Sequence, residues 1–241
     1  LREKVKGRTG LAGRPVFGHH RPMPHLADTP ICRRCGTCCR LGGPALHRPD
    51  LPLVTGGLLP FAALRTLRRG EYVTDNVAGG IGPAPAELVT IAPGPGGRTC
   101  RFFTPPGTCA IHADRPLECR LLFCDAPQAL AAAYERDRLS RADILGPAHP
   151  LAALCADHET VVDLLRLASL CRLALAGDTT ARDEALTLIR YDAAYRELLP
   201  AKAGVPAQAV PFYLGRSPRE ALPAARALLA RCGLYKAGPS A

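Results

Sequence analysis

The chain has no tryptophan, one methionine and only 5% aromatic residues in a length of 241. Proteins that grip single-stranded nucleic acid by stacking need several exposed rings, so that class is disfavoured. Long apolar runs are also missing: each stretch is broken by Arg, Asp or Pro within about a dozen residues, against the roughly 20 that a membrane-spanning helix needs. No transmembrane helix and no membrane partner are expected. The opening LREKVKGRTGLAGRPVFGHH carries basic groups without the apolar core of a secretory signal, so cytoplasmic residence is the default expectation. The chain contains no phosphate loop, nucleophile elbow or H-E-x-x-H motif. The Gly-rich stretches GGIGPAP and APGPGGR lack the strand before and the helix after that a nucleotide-binding turn requires, and they read as loops.

What the chain has in excess is positive charge and cysteine. The formal charge is +10, and much of it lies between Leu1 and Arg40, where Arg2, Lys4, Lys6, Arg8, Arg14, Arg21, Arg33, Arg34 and Arg40 face only Glu3 and Asp28. Such an arm can bind nucleic-acid phosphates by counterion release. The same composition also suits a solvated, flexible tail, which is the reading adopted for residues 1–31. The chain carries 11 cysteines. A reducing cytosol disfavours disulfides and shifts clustered Cys toward metal ligation or redox chemistry.

Folded structure is expected from Ile31 onward. Residues 32–125 are dense in Cys, Gly and Pro, with short apolar runs (EYVTDNV, ELVTIA, RTCRFF, TCAIH) that fit short strands. The spacing in LLPFAALRTLRRG predicts one helix from Leu58 to Arg69, stopped by Gly70. Residues 126–241 turn to Ala, Leu and Arg at helical intervals. In ADHETVVDLLRLASLCRLALAG, Val161, Leu164, Leu165, Ala168, Cys171 and Leu175 form one stripe. A second helix is expected after a cap at Thr179 or Thr180, with Ala185, Leu188, Ile189, Tyr195 and Leu199 recurring and Pro200 as its end. A last helix follows Ser217 and Pro218, carrying Leu222, Leu228, Leu229 and Cys232. The expected fold is therefore α+β: a basic arm (1–31), a loop-rich cysteine module with short strands (32–125), and a helical region packed on it (126–241).

The sharpest feature is ICRRCGTCCR, in which Cys32, Cys35, Cys38 and Cys39 are separated by two, two and zero residues. Two-residue spacing lets successive thiolates turn toward one metal, and Gly36 permits the tight backbone between them. Cys100 and Cys109 follow in CRFFTPPGTC, then Cys119 and Cys124 in ECRLLFC. Four plus four thiols suffice for two four-ligand sites, or for one cluster with a supporting site. Cys171 and Cys232 sit on apolar stripes and read as core, and Cys155 precedes the expected helix without a clear role. None of the three joins the ligand set.

These motifs resemble a known family. Cys32-x2-Cys35-x2-Cys38-Cys39, then CRFF, GTCAIHADRP with Arg115 and Pro116, and ECRLLFC with Arg120, are similar to the CxxCxxCC cysteine-cluster (YkgJ-like) proteins. The resemblance covers about Ile31 to Asp125 and implies zinc or iron chelation. One departure is LLFC where FPC is commoner before Cys124. The resemblance extends to flagellin lysine N-methylases, which implies as an alternative a cluster-dependent enzyme modifying a protein or peptide.

Between the two metals, a compact C-x2-C-x2-C run with a remote fourth thiolate matches iron–sulfur ligation, whereas zinc sites typically pair two knuckles. An iron–sulfur cluster is the first expectation and zinc the second, in a redox, electron-transfer or structural role with a protein or peptide partner. In extended backbone the adjacent Cys38 and Cys39 would point apart and serve different metals or a shared polynuclear site. His112 and the His19, His20, His25 group are further imidazole candidates, with a surface or helix-entry role preferred for His112. Glu118 and Asp125 read as ion-pair partners of Arg115 and Arg120. Tyr191, Asp192 and Tyr195 read as a packed polar group on one helix.

Overall fold

A computed structural model describes residues 32–234, apart from Asn76, Gly96, Pro105, Pro106 and Asp125. The basic arm with His19, His20 and His25, and the ion pairs expected of Asp125, fall outside the described residues. In chain order the elements are α1 (Thr37–Leu41), α2 (Leu51–Thr55), β1 (Leu64–Leu67), β2 (Tyr72–Thr74), β3 (Ile81–Pro83), β4 (Leu88–Ile91), β5 (Phe103–Thr104) and β6 (Thr108–Cys109). The helices α3 (Leu117–Leu121), α4 (Gln128–Ala133), α5 (Arg141–Leu145), α6 (Pro150–Val161), α7 (Leu164–Leu175), α8 (Thr179–Ala203), α9 (Val210–Leu214), α10 (Pro218–Ala221) and α11 (Pro223–Arg231) complete them. The architecture is α+β: antiparallel pairs β1–β4, β2–β3 and β5–β6 come first, and the long helices follow. No helix among the described residues is long and apolar enough to cross a membrane.

β4 is the centre of the first half. Its four residues LVTI are all buried, a pattern that suits a strand covered on both faces. β1 pairs along one edge, from Leu64 opposite Ile91 to Leu67 opposite Leu88. On the other side Leu46 N–H donates to Val89 O at 2.8 Å, and Val89 N–H donates to Leu139 O at 2.9 Å. Around this strand Leu46, Leu59, Leu64, Val89, Ile91, Leu139, Phe212 and Leu214 form a core that also takes in Cys100 and Ile111. The segments bearing Cys39, Cys100 and Cys109 thus lean on the same core as α9.

The helix expected over Leu58–Arg69 is absent; a 3-10 turn at Phe61–Ala63 leads directly into β1. Burial there alternates with a period of two, placing Leu64 and Thr66 inward. The Thr66 hydroxyl donates to Phe212 O at 2.5 Å, a contact 146 residues away that overrides local helical preference. GGIGPAP, expected to be loop throughout, supplies β3, which pairs with β2.

The helical stripe around Cys171 divides into two helices. α6 starts with Pro150 in its first turn, and its preceding His149 side chain accepts from Leu151 N–H at 3.1 Å. Asp163 then caps α7 by accepting from Arg166 N–H at 2.7 Å. Cys155 therefore lies within α6 and is buried, rather than preceding a helix. Leu164, Leu167, Ala168, Cys171 and Ala174 are the buried face of α7, while Val161 and Leu165 remain partly exposed. Asp178, not Thr179 or Thr180, caps α8. That helix runs through Pro200 to Ala203 before Gly204 ends it in the left-handed conformation. Pro200 removes one hydrogen bond in the last turns, where buried Leu199 still anchors the segment. Leu222 is extended and separates α10 from α11, so the last expected helix is also two. A second core of Val162, Leu164, Leu167, Cys171, Ala185, Leu222 and Leu228 lies among α7, α8 and α11.

A buried ionic network joins the strands to these helices. Arg68, fully buried, donates to Glu159 Oε1 at 3.3 Å and to Val162 O. Arg141 bonds Glu87, Glu159 and Tyr213 O, and Arg216 pairs with Glu71. Asp192 accepts from His158 Nε2 at 3.1 Å and from Arg196 Nε at 2.7 Å. Arg196 also donates to the carbonyls of Leu214, Gly215 and Arg216. Gly215 has φ 66°, and a Cβ there would sit 2.7 Å from Arg68 Cδ, so backbone and packing both require glycine. The packed polar group expected on α8 is this Asp192 hub. The Tyr195 ring lies 4.9 Å from that of His158, while its hydroxyl donates to Leu154 O at 3.2 Å.

Candidate metal centre

Gly36 shapes the first turn of the cysteine segment. Its φ is 75°, and a Cβ would lie 2.5 Å from Phe103 Cε2, so no other residue fits without displacing that ring. Arg40 fastens the turn by donating to Cys35 O at 3.1 Å while its guanidinium sits 5.1 Å over the Phe103 ring. Cys38 and Cys39 then fall within α1 rather than in extended backbone. Neighbouring residues of a helix do not face one another, yet here the two Sγ atoms are 4.0 Å apart. The expectation that the two point apart is thereby corrected.

Three more segments close on this pair. Cys100 N–H donates to Cys39 O at 2.6 Å, fixing the loop after β4 against α1. β5 and β6 bring Cys109 opposite Phe103. Cys119 is carried by α3, which is tied down on both sides. Glu118 accepts from Ala45 N–H at 2.9 Å and lies 3.2 Å from His47 Nε2, and Asp50 accepts from Leu117 N–H at 2.8 Å. The Glu118 carboxylate hydrogen-bonded to the buried His47 ring raises that histidine above its usual pKa. Arg120 pairs with Asp50 at 3.6 Å, and Arg115 donates to Cys119 O and His112 O. Glu118 is therefore not the partner of Arg115 or Arg120. Its role is to hold α3 to the segment of Ala45 and His47 between α1 and α2, which residue spacing alone could not disclose.

Cys38, Cys39, Cys100, Cys109 and Cys119 thus lie within electrostatic reach of one another. Burial, reinforced by the neighbouring Cys38 thiol, pushes Cys39 up to about 12. Burial likewise raises Cys119 and Cys100. These thiols carry their protons at neutral pH, and a metal that binds them must displace those protons. Cys35 and Cys124 lie apart from this nest, both exposed and in side-chain contact with each other. The Cys35 Sγ is 3.4 Å from Thr37 Oγ1, and hydrogen bonding by the Thr37 hydroxyl and backbone holds the Cys35 thiol below its usual value. Cys32 is half-buried and makes no hydrogen bond among the described residues.

The donor set fits a thiophilic metal: five sulfurs from four chain segments, with no carboxylate among them. His112 Nε2 is buried without a hydrogen-bond partner among the described residues, and burial with the charges of Arg115 and Arg34 keeps the imidazole below its usual pKa. Among the described residues no three His, Cys, Asp or Glu donors already close around one point. Ligation therefore requires the Sγ atoms to draw together. Cys155 and Cys171 are buried elsewhere, each raised to about 11 by burial, and Cys232 packs against the second core.

No curated protein and no solved structure matches the chain significantly. Residues 31–135, the stretch that holds all five nested thiols, match the sequence model of the CxxCxxCC family, described as "Putative zinc- or iron-chelating domain".

Proposed function

We propose that this domain holds a thiolate-ligated metal centre at Cys38, Cys39, Cys100, Cys109 and Cys119, iron–sulfur in preference to zinc, serving redox, electron-transfer or structural ends. The observation that carries it is the convergence of five buried or half-buried thiols from four segments, each segment fixed by its own backbone or side-chain bonds. Burying so many thiols against one another without a ligand gives up solvation for weak S–H donors. A bound metal replaces those protons with bonds that hold the loops together. Iron–sulfur is preferred because the compact C-x2-C-x2-C run ending at Cys38, with remote thiolates beyond it, has the spacing of iron–sulfur ligation. Zinc has its own supporting observation. The 4.0 Å between Cys38 and Cys39 Sγ is close to the ~3.8 Å edge of a tetrahedron with 2.3 Å metal–sulfur bonds.

Protein purified without oxygen is expected to contain iron with acid-labile sulfide and to absorb in the visible. Stoichiometric zinc with neither iron nor sulfide would replace the iron–sulfur reading by the zinc one. Absence of any bound metal after anaerobic reconstitution with both would defeat the metal centre itself.

A further inference from the structure

Two segments that meet beside α1 are basic throughout. Residues 32–44 and 97–104 carry Arg33, Arg34, Arg40, Arg98 and Arg101 and contain no Asp or Glu. The backbone draws them into one face. Cys100 N–H donates to Cys39 O at 2.6 Å, which sets Arg40 and Leu41 beside the loop of Arg98 and Arg101. A Cβ at Gly42 would lie 3.8 Å from Arg98 O, and one at Gly107, in the turn between β5 and β6, would lie 4.0 Å from Arg34 O. The Arg40 guanidinium sits 5.1 Å over the Phe103 ring of the same hairpin. Arg34, Arg40, Arg98 and Arg101 are all exposed, and Leu41 is 66% exposed among them. Elsewhere on the surface Arg48, Arg120, Arg166 and Arg182 each pair with a carboxylate. Arg34, Arg40, Arg98 and Arg101 pair with none among the described residues. Like charges gathered in this way repel one another and attract anions from a distance.

We infer that Arg34, Arg40, Leu41, Arg98 and Arg101 form a docking surface for an acidic protein, whose carboxylates meet the arginines around an apolar contact on Leu41. The inference deepens the metal-centre reading, on which the partner's purpose rests. Arg40 directly follows Cys38 and Cys39, and Arg101 directly follows Cys100, so a partner seated here stands next to the thiols. An apolar centre inside a polar rim is the anatomy of a protein interface. A partner that docks, exchanges and leaves suits a small face of this kind, since such encounters bury less than about 1,200 Å² and owe their speed to complementary charge. Nucleic acid is the weaker fit. Unpaired bases need exposed rings to stack on, whereas Phe102 and Phe103 are half-buried and the latter lies beneath Arg40. A phosphate backbone has no use for Leu41.

The test follows binding to the full chain by fluorescence anisotropy in about 0.15 M salt, where exposed charges more than about 8 Å apart are largely screened. The probe is a fluorescein-labelled amphipathic helical peptide that presents glutamates around a central leucine. Wild type is expected to bind it, with affinity falling as salt rises. The double reversal Arg98→Glu, Arg101→Glu should weaken binding about tenfold or more. Arg69 and Arg190 are exposed at the end of β1 and on α8. Reversing that pair, Arg69→Glu, Arg190→Glu, changes the net charge equally and should weaken binding less than about twofold. Leu41→Ser should weaken binding and leave its salt dependence in place. If circular dichroism shows the first double reversal to be misfolded, the neutral pair Arg98→Gln, Arg101→Gln takes its place, with a smaller loss expected. Equal weakening by the two double reversals, or no binding of the peptide by wild type, would overturn the inference. Tighter binding of single-stranded DNA of matched charge, lost in the same variants, would also overturn it, by giving the face to nucleic acid. A wild type that binds the peptide through Arg98 and Arg101 but holds no metal after anaerobic reconstitution would remove the metal-centre reading and leave the docking surface standing.

Discussion

Cys119→Ser is expected to lower metal affinity by more than the roughly 10–100-fold typical of losing an outer-shell partner. Cys119 is half-buried, and its thiol, raised by burial, is close enough to Cys38, Cys39, Cys100 and Cys109 to be influenced by all four. A serine in its place offers a hard, weakly acidic oxygen where a soft thiolate is needed. Its backbone frame should survive, because α3 is held by Glu118, Asp50 and Arg115 through atoms the substitution leaves alone. Metal analysis by plasma mass spectrometry, alongside circular dichroism, separates loss of ligation from loss of fold. Cys171→Ser is the matched control. That residue is fully buried in the second core, so the variant should lose stability yet keep its metal. Equal metal loss in both variants would break the assignment of the nest.

The second large effect is on stability. Asp192→Ala should destabilise the protein by about 3–5 kcal/mol, as expected when one member of a buried, hydrogen-bonded charge group is removed. That is a large fraction of the roughly 5–15 kcal/mol that holds a typical domain together. Asp192 is the acceptor for His158 and Arg196, and Arg196 in turn gathers the carbonyls of Leu214, Gly215 and Arg216. Truncation leaves a guanidinium and an imidazole facing a cavity. Urea unfolding monitored by circular dichroism reads the difference, and a loss below about 1 kcal/mol would show the hub to be dispensable.

The same hub gives stability a pH dependence. Burial holds His158 below its usual value. Burial alone would raise Asp192, but hydrogen bonds from His158 and Arg196 outweigh it and keep the carboxyl below its usual range. A folded-state pKa depressed below the unfolded one contributes stability that is present above the unfolded pKa and lost as pH falls through the folded one. For His158 the loss begins as pH drops below about 6.5, and for Asp192 below about 3.9. His47, raised by Glu118, works in the opposite sense, its contribution fading as pH rises above about 6.5. His158→Gln should therefore flatten the decline in melting temperature between pH 6.5 and pH 5.

Spacing made the cysteine motif legible because ligand geometry is encoded locally, and β2, β4, β5 and β6 were legible because short apolar, β-branched and aromatic runs stand between turn residues. The helix expected over Leu58–Arg69 failed for a non-local reason, since β1 exists only because β4 and Phe212 receive it. The ionic network was hidden because an isolated Arg68 or Arg141 in a sequence is indistinguishable from a solvated charge. Only the fold shows both side chains enclosed with Glu159 between them. The orientation of Cys38 and Cys39 could not be read either, because whether two neighbours diverge or converge depends on the turn that Gly36 sets.

X-ray absorption at the metal edge of the reconstituted protein addresses the five-thiol centre most directly. The expected result is a first shell dominated by sulfur at about 2.3 Å from the metal, collapsing in Cys119→Ser and unchanged in Cys171→Ser. A shell of nitrogen and oxygen at about 2.0–2.2 Å that is indifferent to Cys119 would contradict thiolate ligation at this nest.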